Sequence, residues 1–298
     1  VDEVERGLEP YRQRSLMEKL QAGKSQVFMT THSPFPIAAA ADASIWYVDH
    51  KGQVGEIEGK KTAIHRRTDP ETFLARLSVI AEGKTERGFV TTLLKKAFGD
   101  QLEHHGVYVS DGMGHETTLG LLEALSKGGL CFGGFADDEG KHPERWKKVA
   151  DKLGNLLFRW ASGCLEENII SAVPDKNLKC LIIDPVGEKT GTRLRTLSDR
   201  LGLNTKDFEA IKAEAGIELK TVIVAAATGS IPSGKEEADK KKYQGEAQAW
   251  FKTVDGGQEL AEKMFTLEAW STLKAQLLPF CNAVRVAINL EEKEDLVS

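Results

Sequence analysis

The chain has 298 residues, 41% of them hydrophobic and 29% charged, with a formal net charge of −5. That is ordinary for a soluble globular protein with room for two domains and part of a third, and it argues against a uniformly basic nucleic-acid surface. Local basic patches remain compatible with it, because metal-site carboxylates themselves add to the negative sum. No apolar run reaches membrane length and no signal peptide is recognisable, so a cytoplasmic protein without membrane association is expected. Cys131, Cys164, Cys180 and Cys281 show no C-x-x-C spacing and read as buried thiols in a reducing compartment.

In chain order, Asp2-Glu3 and Gly7-Leu8-Glu9-Pro10 precede a helical stretch through Leu16 and Leu20. A strand is expected over Gln26–Thr31, ending in His32-Ser33-Pro34. The order D-E, G-L-E-P, T-H-S resembles the end of an ABC-type ATPase domain. The resemblance implies that Asp2 holds Mg²⁺, Glu3 polarises the attacking water and His32 contacts the γ-phosphate. No G-x-x-x-x-G-K-[ST] loop follows, so ATP is expected to be used only by a full-length protein. A start at Val1, without initiator Met, also predicts that the chain is part of a longer one. Ile45–Val48 and Gly55–Ile57 predict a hairpin with Lys51-Gly52 near its turn. Lys60-Lys61 and Arg66-Arg67 then lead to Asp69-Pro70, read as a linker whose charges form a solvated face rather than a DNA contact.

The central stretch is Leu77–Glu86. An apolar run suited to a strand buried on both faces stops at Glu82, turns on Gly83 and opens a helix at Thr85-Glu86. A second strand, Gly106–Ser110, ends in Asp111–His115. Those two residues could ligate a metal, but a helix-entry loop is the preferred reading. Cys131–Ala136 is a third strand, delivering Asp137 and Glu139 to one side and Asp138 to the other. Alternating β/α units of this length predict a parallel sheet with crossover helices, and such sheets bind ligands at the strands' carboxyl ends. Carboxylates gathered there cannot all ionise without a cation between them, and oxygen-only ligands suit Mg²⁺ or Mn²⁺.

Beyond it, Arg145–Lys152 predicts a helix and Phe158 with Trp160 a further strand. Glu166 lies in the first turn of the next helix, where an acid complements the dipole without any metal. Residues 169–216 read as amphipathic helices broken at Pro174 and Pro185. The sheet is expected to resume at Leu219–Ala225, followed by a flexible loop over Thr228–Gly234. Lys235, Lys240, Lys241 and Lys242 with Trp250-Phe251-Lys252 suit a phosphate-backbone contact, or equally a solvated helix start. A helix over Gln258–Phe265, another after Leu267 and a final strand at Val284–Ile288 complete the chain.

The E-G-x-T-E of Glu82–Glu86 and the A-D-D-E-G of Ala136–Gly140 together resemble the Toprim fold, most closely the OLD (overcoming lysogenisation defect) nucleases of class 2. This implies an α/β, Toprim-like parallel sheet flanked by helices, with a helical insertion and a partial ABC-ATPase segment. The expected division is an ATPase end and linker (1–70), Toprim first part (71–160), helical insertion (161–216) and Toprim second part (217–298). The resemblance further implies a two-metal DNA endonuclease. Glu82 would bridge or orient water, Glu86 and Asp137 would hold metal, and Glu139 would complete the shell, in place of the family's Asp. Glu166 would add a ligand, and Lys252, or failing it Lys242, would stabilise charge at phosphorus. For a full-length protein it implies a dimer through the ATPase, a helicase-like partner and a role against phage. Two alternatives stand: a Toprim topoisomerase or primase, and a non-catalytic DNA-binding regulatory module. The first needs a nucleophilic tyrosine, and none of Tyr11, Tyr47, Tyr108 or Tyr243 lies in a strand-passage context.

Overall fold

The structure is a computed structural model and describes residues 1–40, 43–48, 52, 54–57, 59–184, 186–232 and 240–297. Lys51, Pro185 and Lys235, and the side chains of Lys60, Lys61 and Lys240, lie outside the described residues. Helices α1 (Pro10–Ala22) and α2 (Pro34–Ala39) lead into the antiparallel hairpin β1 (Ile45–Val48) and β2 (Val54–Ile57) and then α3 (Gly59–Thr68). The core follows as β3 (Leu77–Ala81), α4 (Lys84–Phe98), β4 (Val107–Asp111), α5 (His115–Gly128), β5 (Phe132–Ala136), α6 (Pro143–Leu153) and β6 (Leu157–Arg159). The remainder is helical: α7 (Leu165–Ala172), α8 (Leu178–Ile182), α9 (Thr190–Arg200), α10 (Phe208–Ala215), α11 (Leu219–Thr228), α12 (Lys240–Gln248), α13 (Val254–Thr266) and α14 (Trp270–Ala287).

The four core strands form one parallel sheet in the order β4-β3-β5-β6, as the β/α alternation predicts. Alternation along β3 sends Leu77, Val79 and Ala81 into one hydrophobic core and Ile80 into another. The larger core is closed by α4, α7, α13 and α14, with Phe135 surrounded by the rings of Phe89, Phe158, Trp160 and Phe280. The smaller core holds Leu119, Leu122 and Leu125 of α5 with Trp146 and Val149 of α6. Every residue of β3 and β5 is buried, which explains their continuous apolar reading.

Several expected elements differ. Leu219–Ala225 is not a strand but the body of α11: Leu219, Ile223, Ala226 and Ala227 are its buried residues, a helical spacing that its β-branched run conceals. Val284–Ile288 is likewise the end of α14, with Val284 buried on the same face as Phe280 and Cys281. Gln26–Thr31 does not form a strand. The Thr30 N–H donates to the Val1 carbonyl, while the Thr30 and Phe28 carbonyls accept from the Val4 N–H and the Val1 amino group. The basic segment before Asp69 forms a helix, in which Arg67 is exposed as a solvated face requires. His65 and Arg66 are buried in it, and Arg66 donates to the Ala43 carbonyl at 2.5 Å. All four cysteines are free, but only Cys281 is fully buried and Cys180 is exposed. No helix among the described residues is long and apolar enough to cross a membrane.

Candidate metal centre

The carboxyl ends of β3 and β5 carry the acids. Glu82 directly follows β3, its own N–H donating to the Phe135 carbonyl of the neighbouring strand at 2.9 Å. Its Oε2 accepts the Asp137 N–H at 3.1 Å, so the two strand ends are tied through the carboxylate itself. Gly83 caps α4 in extended conformation, and a Cβ there would lie 3.0 Å from Glu86 Oε2. The glycine therefore leaves room for the Glu86 carboxylate to lie over the turn. Glu86 occupies the first turn of α4, where the helix dipole favours an anion.

The next helices complete the group. Asp137 Oδ1 accepts the N–H of Leu165, the first residue of α7, at 2.9 Å, and Glu166 follows it fully buried. Lys252 Nζ lies 2.7 Å from Glu166 Oε1, its side chain 31% exposed. The turn bearing Lys252 is brought in by a close crossing of α13 on α4. A Cβ on Gly88 would fall 1.9 Å from the Val254 carbonyl oxygen, and one on Gly257 2.0 Å from that of Thr85. Only glycine permits that approach. Arg193, buried between α9 and this turn, braces it from behind: it donates to the carbonyls of Ala249 and Trp250 and pairs with Glu259 at 2.6 Å.

The electrostatics follow from this burial. Burial first, then Glu86, Glu166 and Glu82, push Asp137 up to about 9 against the pull of Lys252. Burial and the Glu166 charge push Glu86 up to about 7. Glu82 is also raised, by burial, although the Asp137 amide and His115 oppose the shift. Burial alone would lower Lys252, but Glu166 more than compensates and raises it. Apart from the Lys252 ammonium, Glu166 has no partner for either buried carboxylate oxygen among the described residues. Buried carboxylates without donors are costly unless a cation satisfies them. Glu82, Glu86, Asp137 and Glu166 thus fit a hard divalent ion such as Mg²⁺ or Mn²⁺.

Glu139 stands apart from the buried group. Its carboxylate is 39% exposed, bonds Lys141 at 2.8 Å and lies 4.0 Å from His115 Nδ1. Glu82, His115 and Glu139 form a second cluster whose potential ligand atoms all lie within 4.8 Å of one another, so Glu82 faces both groups. Asp138 points the other way, to Arg159 at 2.9 Å, as strand alternation requires. Asp111 serves the helix-entry turn, accepting the Met113 N–H at 2.8 Å.

The structure does not bring Lys242 to the carboxylates. It is exposed on α12, with its ammonium 5.5 Å from the ring centre of its neighbour Tyr243. Nor do Trp250 and Phe251 offer rings to a nucleic acid. Both are fully buried, stacked against the Arg193 guanidinium. At the N-terminus, Asp2 accepts the Thr30 hydroxyl, the Glu3 N–H donates to Thr30 Oγ1 at 2.8 Å and the His32 N–H donates to Glu5 at 2.8 Å. The ATPase-like residues are therefore neighbours, beside an acid, Glu5, that motif reasoning passed over.

Comparison with known proteins adds two likenesses. Residues 1–38, which span Asp2, Glu3 and His32, match the family described as "AAA domain, putative AbiEii toxin, Type IV TA system". Among solved structures, the C-terminal region of the Burkholderia pseudomallei OLD protein is similar, at 15% identity and a TM-score of 0.38, over 72% of this chain and 100% of that one. No curated protein matches the sequence.

Proposed function

We propose that this chain is the nuclease portion of an ATPase-linked enzyme and cleaves phosphodiester bonds in DNA with divalent cations held at the ends of β3 and β5. The observation that carries this reading is the set of buried Glu82, Glu86 and Glu166 and half-buried Asp137 with one lysine among them, too many negative groups to coexist ionised without a cation. Glu86, Asp137 and Glu166 would hold one ion. Glu82, which faces both clusters, would be shared with a second ion on the Glu139 side. Such ions supply Lewis-acid polarisation and a water of lowered pKa. The chain's own contribution is orientation and charge. Gly83 and the Leu165 N–H fix the carboxylates, and Lys252 presents a partly exposed ammonium where a phosphoryl oxygen develops charge. Exposed Lys84 and Lys141, close in sequence to Glu86 and Glu139, give an acidic chain local cations for a phosphate backbone.

Tyrosine chemistry fits less well. The Tyr108 hydroxyl donates to Asp69 at 2.6 Å, and burial and that bond raise it away from the phenolate form. Tyr243 is buried beneath the Arg200 guanidinium. In the full-length protein that the motifs imply, ATP turnover, a dimer through the ATPase, a helicase-like partner and phage defence extend the same proposal.

The test is incubation of the chain with supercoiled plasmid in Mg²⁺, in Mn²⁺ and in chelator, beside Glu86→Ala. Metal-dependent nicking or linearisation, absent in the variant, is expected. Relaxed but covalently closed circles would indicate a topoisomerase instead. Intact plasmid in every condition would indicate a binding module.

A further inference from the structure

We infer that His115 is not a metal ligand but a positioning residue whose Nδ1–H is aimed between Glu82 and Glu139, its tautomer locked by Trp146. The inference rests on the metal reading of those carboxylates and concerns what the histidine among them does. His115 opens α5 and is buried, 8% exposed. The Trp146 indole N–H donates to His115 Nε2 at 3.2 Å. An indole nitrogen can only donate, so Nε2 must accept, and a neutral imidazole then carries its proton on Nδ1. That nitrogen is buried without a hydrogen-bond partner among the described residues, 3.7 Å from Glu82 Oε1 and 4.0 Å from Glu139 Oε2.

Ligation through Nδ1 would need the opposite tautomer, which would set two N–H groups head to head at Nε2. The surroundings hold Trp146 against any such change. It is 1% exposed, and the Arg159 guanidinium covers its ring at 4.4 Å. Arg159 in turn pairs with Asp138. The acid between Asp137 and Glu139, which points away from the carboxylate groups, thereby gains a role: it fixes the arginine that fixes the tryptophan. Outer groups of this kind set the orientation and basicity of the carboxylates that do meet the ion.

The experiment is long-range ¹H–¹⁵N spectroscopy of the ¹⁵N-labelled full chain, metal-free and with Mg²⁺. The His115 signals are identified by their loss in His115→Asn. The Nδ1–H tautomer is expected in both states, with a mixture of tautomers in Trp146→Phe. An Nε2–H tautomer in the metal-free protein, or direct metal perturbation of Nδ1, would overturn the assignment. Calorimetric Mg²⁺ titration gives the second readout. His115→Ala should weaken binding by about tenfold, and His115→Asn, whose amide N–H stands where Nδ1–H stood, should restore most of it. Equal loss in both variants would contradict the donor role. Absence of Mg²⁺ binding by the unaltered protein would instead defeat the metal reading, and the metal-free spectrum would still decide the tautomer.

Discussion

Two ends of the molecule gather acids, and they treat them in opposite ways. At the N-terminal edge, Asp2 and Glu5 are supplied with donors. Thr30 serves Asp2, while the Thr31 hydroxyl at 2.6 Å and the His32 amide serve Glu5, so that Glu5 is lowered although its slight burial pushes upward. At the ends of β3 and β5 the acids are buried more deeply and given fewer donors. Glu86 and Asp137 are raised, and among the described residues Glu166 pairs only with Lys252. Counting acids does not separate the two sites. The ratio of donors to buried oxygens does, and it marks the sheet end as the place that requires a cation.

The largest effect that could break this contrast is expected from Asp137→Ala or Glu86→Ala, each of which should reduce metal-dependent plasmid cleavage to background in a gel assay. Lys252→Ala is expected to slow cleavage by about 10²–10³-fold, the usual cost of one preorganised charge-stabilising group. Lys242→Ala, on a surface away from the carboxylates, should leave the single-turnover rate little changed.

The two ends should also differ in the sign of their pH dependence. Folded Glu86 and Asp137 keep their protons to about pH 7 and 9, whereas an unfolded carboxylate loses its proton near about pH 4. Between those limits the folded state binds more protons, so metal-free stability present at pH 5 declines as pH rises toward 9. Urea titrations should show that decline and its reversal by Mg²⁺. The lowered Glu5 acts the other way: its contribution is present above the ordinary carboxylate range and is lost on acidification. The smallest effect is expected from Glu5→Ala, about 1 kcal/mol or less in the same titration, because the site is largely solvated.

The sheet end was legible because its signals are local. An apolar run, a glycine and two acids at helix-turn spacing define Glu82 and Glu86, and a buried glycine-rich strand leads to Asp137. The rest depends on contacts between distant residues. Arg193 and Glu259 lie far apart in the sequence, on an expected amphipathic stretch and on the expected helix at Gln258–Phe265, yet they form a buried pair behind the Lys252 turn. The bond from Trp146 to His115 joins α6 to α5, and no spacing rule announces it. Leu219–Ala225 misleads in a different way: its β-branched residues favour a strand, but the apolar face they complete has helical spacing and ends at Gly229 in the left-handed region.

The most direct test of the central claim is calorimetric titration of Mg²⁺ near pH 8 in two buffers of different ionisation enthalpy, for the unaltered chain and Asp137→Ala. Saturable binding with proton release, lost in the variant, is predicted, because the ion must displace protons that Asp137 and its neighbours otherwise retain. Binding that is absent, or unchanged in Asp137→Ala, would contradict the assignment of the sheet end as a metal centre.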